Sequence, residues 1–165
     1  MDVGTYIQNL KGIDLKQLII DELKTFEVFL AELNRKQMRQ GLNSEGSNIG
    51  TYFSESYANF KQSRPGRLAD KWDVDLFLEG YFQKALFAKV EGDNILFDST
   101  DSKTGKLENK YGKAIFGLSK KSISELIPEL MYVIIQDINT KLAAWKTLAP
   151  KLHYMTLCAA YFIRT

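Results

Sequence analysis

The chain has 165 residues, enough for a single domain that buries roughly two thirds of its unfolded surface around one core. Hydrophobic residues make up 45% and charged residues 25%, which sets aside the disordered and fibrous classes. The formal charge of +2 sets aside a protein whose main business is gripping phosphates, because such a protein needs a strong cationic field.

Asp14 opens the clearest periodic segment. Leu15, Ile19, Leu23, Phe26, Leu30 and Leu33 recur at steps of four and three, so the spacing predicts one α-helix over 14–40 with these residues facing the core. The Asp14 carboxylate is placed to cap the first turn, and Gly41 supplies the left-handed position that ends many helices.

Asn43, Ser44, Gly46, Ser47, Asn48 and Gly50 then mark a turn-rich loop. Ser54 is placed to cap a short helix that must stop at Pro65 and Gly66. Irregular chain over 41–73 is long for a compact domain, and such segments usually carry function or move. Lys61, Arg64, Arg67 and Lys71 make it basic, so it reads either as a plain solvated loop or as a contact surface for a partner subunit or for DNA phosphates.

The stretch 72–118 organises the fold. Residues 85–90 and 95–99 are apolar runs flanking Gly92, Asp93 and Asn94, the signature of an antiparallel hairpin. Residues 98–105 are rich in hydroxyls and carboxylates. A calcium loop counted from Asp98 would need a glycine sixth and a glutamate twelfth, where the chain has Lys103 and Asn109, so a solvated loop is expected. A second helix is predicted over 119–142. Ser122 and Glu125 form its capping box, Pro128 lies near its first turns, and Ile123, Leu126, Ile127, Leu130, Ile134 and Ile138 form its apolar face. Pro150 interrupts the pattern before an apolar tail over 152–163, which returns to the core or docks on another copy; its most apolar piece, 154–163, is about half the length needed to span a bilayer.

The expected fold class is therefore α+β: a small antiparallel β-sheet centred on a hairpin, packed against two long α-helices, with a long loop between the first helix and the sheet. The core spans about 14–142, and 143–165 is a C-terminal extension.

Little points to catalysis. His153 has no second histidine or cysteine at ligand spacing, and Cys158 is a lone thiol, which suits a reducing compartment and leaves no disulfide or thiolate cluster. The scattered glycines write neither a P-loop nor a dinucleotide fingerprint. The start has no basic segment followed by an apolar one, so no secretory signal is read there. The expectation is a non-enzymatic protein without catalytic residues, metal or cofactor. A hydrolase using His153 as base, and a nucleic-acid-binding regulator using the basic loop 61–71, are the rivals.

The order of motifs carries a further signal: LNRKQMRQG at 33–41, NSEG at 43–46, IGTYFS at 49–54 with Tyr57 and Ala58, VDLFLEGYF at 74–82, LENKYG at 107–112 and IFGL at 115–118. It resembles small virion proteins of tailed bacteriophages, the neck, tail-completion and minor tail proteins, over about 15–142. Many of these carry Leu-x-x-Thr-Gly-x-Phe before the hairpin, where this chain has Glu79 in place of the threonine. The resemblance implies a structural subunit of a ring in the neck or tail, a head-tail connector or tail-completion protein, made in the host cytoplasm. Its partners would be copies of itself, other neck and tail proteins, and DNA contacted non-specifically in the lumen, with no membrane and no small-molecule substrate. Ring subunits meet head to tail, and Tyr52, Tyr57, Phe60, Lys61, Arg64, Arg67 and Lys71 are the interface candidates.

Overall fold

In a computed structural model of the protein, the backbone is described over residues 3–162 and the side chains over residues 4, 7, 8 and 10–143. The elements are α1 (Val3–Lys11), α2 (Leu15–Thr25), α3 (Glu27–Arg39), α4 (Glu55–Gln62), α5 (Tyr81–Lys84), β1 (Leu86–Glu91), β2 (Asn94–Ser99), α6 (Thr104–Tyr111), the 3₁₀ turn η1 (Lys113–Ile115) and α7 (Lys120–Phe162). The protein is thus mixed helix and sheet, and among the described residues the sheet is one antiparallel pair. The chain divides into two compact units, Leu23–Glu129 and Met1–Glu22 with Leu130–Thr165.

The helix expected over 14–40 is two helices. Asp14 does cap the first, with its Oδ1 accepting from the Gln17 amide at 3.0 Å, and Gly41 does end the second at φ +78°. Between them, at Phe26, the amide bonds back three residues to the Leu23 carbonyl (3.0 Å), a tighter turn than the α-helix holds. That turn breaks the stripe. Leu30 and Leu33 are buried, but Leu15 and Ile19 face solvent and Leu18 takes the buried position in α2.

α3 packs on β1. The hairpin pairs Leu86 with Ser99 through Glu91 with Asn94, so each strand runs one residue closer to the turn than 85–90 and 95–99 would place it and β1 begins one residue later, and Gly92 takes φ +58° at the first turn position. This matches the two-residue hairpin loops that favour glycine there. Leu86, Ala88 and Val90 point inward while Lys89 and Glu91 point out and pair at 2.7 Å. Glu27, in the first turn of α3, accepts from the Val90 amide at 2.8 Å, so the helix satisfies a strand group that would otherwise be left at an open edge. A two-stranded sheet is marginal in water by itself. Here it closes one side of a core made of Met38, Ile49, Val74, Phe82, Leu86 and Ile115, with Phe116 against Phe82 at a centroid distance of 6.2 Å.

Several expectations downstream are corrected. The loop expected over 98–105 turns into α6 at Thr104, because the Asp101 carboxylate accepts from the Lys103 amide (2.7 Å) and the Thr104 hydroxyl donates to the Asp101 carbonyl (2.7 Å), a local arrangement that starts a helix. The last helix starts at Ser119, three residues before the expected capping box. The Ser119 hydroxyl accepts from the Ser122 amide (3.3 Å), while Ser122 donates to Gln37 Oε1 (2.9 Å) and Glu125 binds Lys36 (2.8 Å) on α3. Pro128 lies within α7, eight residues after Lys120. On the expected apolar face, Leu126 and Ile134 are buried, while Ile123 and Ile127 are exposed. α7 also runs past Pro150, where an interruption was expected. The side chains of the tail, His153 and Cys158 included, lie outside the described residues.

Candidate functional site

The segment 41–75 is not the solvated loop its composition suggests. The Ile49 amide donates to the Gly41 carbonyl (2.8 Å), and Tyr52 with Trp72 and Val74 with Gly50 join its two limbs (2.8 and 2.9 Å). α4 lies between those limbs, capped as expected by Ser54 and ending before Ser63. The limbs bring three charged side chains together inside the protein.

At the centre is Asp75, with no exposed surface. Its Oδ1 accepts from the Lys61 ammonium (2.8 Å), the Tyr52 hydroxyl (3.0 Å) and the Phe77 amide (3.1 Å), and its Oδ2 accepts from Arg67 Nη1 (3.1 Å). The Lys61 and Arg67 side chains are only 2% and 3% exposed, which corrects the expectation that these two cations face a partner or DNA. Both also lie over the Tyr52 ring, at 5.7 and 5.5 Å, an attraction that strengthens once water is excluded.

Arg67 is further committed. Its remaining donors reach the carbonyls of Ala69 (3.2 Å), Asp70, Lys71 (3.3 Å) and Asp73 (2.7 Å). The fork shape of a guanidinium suits such multiple donation, which an ammonium could not reproduce. Arg67 thus holds the returning limb of the loop in place. Asp75 is also held through its backbone: Gln83, itself buried, donates to the Asp75 carbonyl (2.7 Å) and accepts from Arg39 (3.1 Å), while Arg35 donates to the Gln83 carbonyl (2.6 Å).

The electrostatics follow from burial. Removal from water pushes the Lys61 ammonium below its ordinary value, opposed by Asp75 and reinforced by Arg67 and Arg64. Burial pushes the Tyr52 phenol well above 10.0, and the Asp75 charge adds to the shift. The buried set of Lys61, Arg67 and Asp75 carries one more positive charge than negative.

Above this set is a cleft of about 200 Å³ whose lining includes Tyr52, Lys61, Phe77, Tyr81, Leu107 and Tyr111. The local backbone is unusual. Leu76 has φ +51°, a region costly for a branched side chain. Gly80 has φ +83°, and a Cβ there would come within 2.9 Å of the Phe77 ring. The rim adds Glu79, Asp101 and Lys103.

The other interface candidates are at or near the surface. Tyr57 and Phe60 are exposed on α4, and Tyr57 stacks edge to face on Tyr52 at 5.1 Å. Arg64 is exposed and covers the Phe60 ring at 4.4 Å, and Lys71 pairs with Glu55 at 3.3 Å. The structure therefore brings Tyr52, Lys61 and Arg67 together, sets the half-exposed Tyr57 on the wall of their cleft, and leaves Phe60, Arg64 and Lys71 outside. Sequence reasoning missed Asp75, Arg39 and Gln83. The available signal for Asp75 was a carboxylate set between Val74 and Leu76, in a chain with a cluster of cations just upstream.

Among the described residues no group of three histidine, cysteine or acidic side chains is arranged to hold a metal ion. No helix among them is long and apolar enough to cross a membrane. No protein-family model matches the chain, and neither does a characterised protein or a solved structure.

Proposed function

We propose that the protein is a non-enzymatic structural subunit of a tailed-bacteriophage virion. In this reading it forms part of a ring in the neck or tail, as a connector or tail-completion protein, and it joins copies of itself to adjoining virion proteins. The phage assignment rests on the resemblance in motif order. Its physical support is one observation: large apolar side chains stand in solvent on several helices. Leu10, Leu15 and Ile19 are exposed on α1 and α2, Ile123, Ile127, Met131 and Ile135 on α7, and Phe53, just before α4, is 99% exposed. Scattered apolar residues on a surface are ordinary, but repeated ones on successive helical turns support a contact face.

The buried cluster supports the same reading. Lys61 and Arg67 are spent on Asp75 and the loop carbonyls, so the segment is a rigid support for the exposed Tyr57 and Phe60 and not a cationic grip. The regulator that would bind nucleic acid through 61–71 loses half its cations to the interior. Native mass measurement and electron microscopy of the purified protein test the proposal, with closed rings or ring-sized oligomers expected. A protein that stays monomeric and is missing from purified virions of the phage encoding it would overturn it.

A further inference from the structure

The cleft over Asp75 has features that the ring reading does not use. Lys61 lies on its lining, buried, with three protons on its ammonium. Among the described residues its one hydrogen-bond acceptor is Asp75, and the Tyr52 ring face takes a second direction. Asp75 is itself saturated by Lys61, Tyr52, Phe77 and Arg67. The buried set of Lys61, Arg67 and Asp75 therefore has a donor to spare and a net positive charge, both next to open space. A buried cation short of acceptors is costly, and an anion entering the cleft would relieve it.

Size and lining narrow the anion. At about 200 Å³ the cleft is smaller than the usual site for a drug-sized ligand, roughly 300 Å³ or more, and a little larger than the roughly 150 Å³ apolar cavity that accepts benzene. Tyr57, Phe77, Tyr81 and Tyr111 supply ring faces and edges, and Leu107 from α6 supplies an aliphatic wall. At the rim Glu79 and Asp101 outnumber Lys103 and disfavour anything with several negative charges, which speaks against phosphate chains and nucleic acid. The strained Leu76 and the glycine-only turn at Gly80 border the same space, where stored backbone strain is commonly found at ligand sites.

We infer that this cleft binds a single carboxylate carried on one aromatic ring, with the carboxylate accepting from the Lys61 ammonium and the ring packed among Tyr57, Phe77 and Tyr81. The same chemistry is offered by a free arylalkanoic acid and by the C-terminal phenylalanine of a polypeptide. The inference goes beyond the assembly reading and stands independently of it.

Amide-resolved NMR titration of the full chain tests it, with phenylacetate, its neutral analogue phenylacetamide, and a tripeptide ending in phenylalanine with a free or an amidated terminus. Amides lining the cleft should move with the acids, and the neutral analogue of each should bind about tenfold more weakly, the scale of one charge-assisted hydrogen bond. Lys61→Met should abolish that preference. It should also fold, because Asp75 keeps Arg67 as its counter-ion. Tyr81→Ala, at an exposed wall position, should weaken acid and amide alike without touching the charges. Binding of phenylacetate but not the peptide identifies a free acid as the ligand, and tighter binding of the peptide acid identifies a chain terminus; either supports the inference. Equal affinity for acid and amide, a preference that survives Lys61→Met, or an absence of shifts at the cleft with every probe would overturn it.

Discussion

Asp75 shows how one buried carboxylate can order a loop that composition marks as solvated. It has two cations, a phenol and an amide within hydrogen-bond distance, so removing its charge leaves Lys61 and Arg67 facing each other without a counter-ion. Asp75→Asn should therefore destabilise the protein by about 3–5 kcal/mol in urea unfolding, far more than a change at the exposed Arg64. The two shifted groups make opposite pH predictions. Tyr52 is raised above 10.0 in the folded protein, so the folded state keeps a proton that the unfolded chain gives up. Its contribution is complete below that pH and is lost as pH rises beyond it. Lys61 is lowered below 10.5, so the folded state releases a proton that the unfolded chain keeps, and its cost eases as pH rises towards 10.5. Tyr52→Phe should flatten the alkaline loss of stability, and Lys61→Met should remove the rise that precedes it, as read from urea midpoints across the alkaline range.

At the level of elements, the turns that place the cleft depend on a few backbone positions. Gly80 starts α5 at φ +83°, with the Phe77 ring where a Cβ would stand. Gly80→Ala should cost about 1–2 kcal/mol from the left-handed conformation alone, and more once the ring is displaced. Its unfolding midpoint should fall below that of Gly66→Ala, where φ is +80° but no atom lies within 4 Å of the added carbon. The start of α7 allows a cleaner comparison. Ser119→Ala removes the cap and should cost about 1 kcal/mol. Ser122→Ala leaves the cap in place and removes a donor to Gln37 Oε1, which retains the Ser119 amide at 2.7 Å. A Ser122 effect larger than the Ser119 effect would return the helix start to the later serine.

For the whole molecule, assembly is the property most open to measurement. If the protein assembles as proposed, charged substitutions at exposed apolar positions of α7, such as Ile127→Glu or Ile135→Glu, should reduce its mass in solution to that of a monomer while leaving helical circular dichroism unchanged. Surface substitutions of this kind alter stability by only about 0.5 kcal/mol. Loss of the fold instead of the oligomer would mean that these residues serve the interior.

The sequence by itself determined what is local. The hairpin and its Gly92 turn, the Asp14 and Ser54 caps, and the glycine ending at Gly41 follow from residues close together in the chain, so spacing and backbone preference suffice. Only the tertiary structure decided which charges are internal. Lys61, Arg67 and Asp75 read as ordinary polar residues until the limbs around α4 fold together, and burial depends on atoms brought from elsewhere in the chain. The same reason explains the helix stripe. Periodicity shows that Leu15, Ile19, Leu30 and Leu33 share a repeat, but the turn at Phe26 decides which of them find a core to enter.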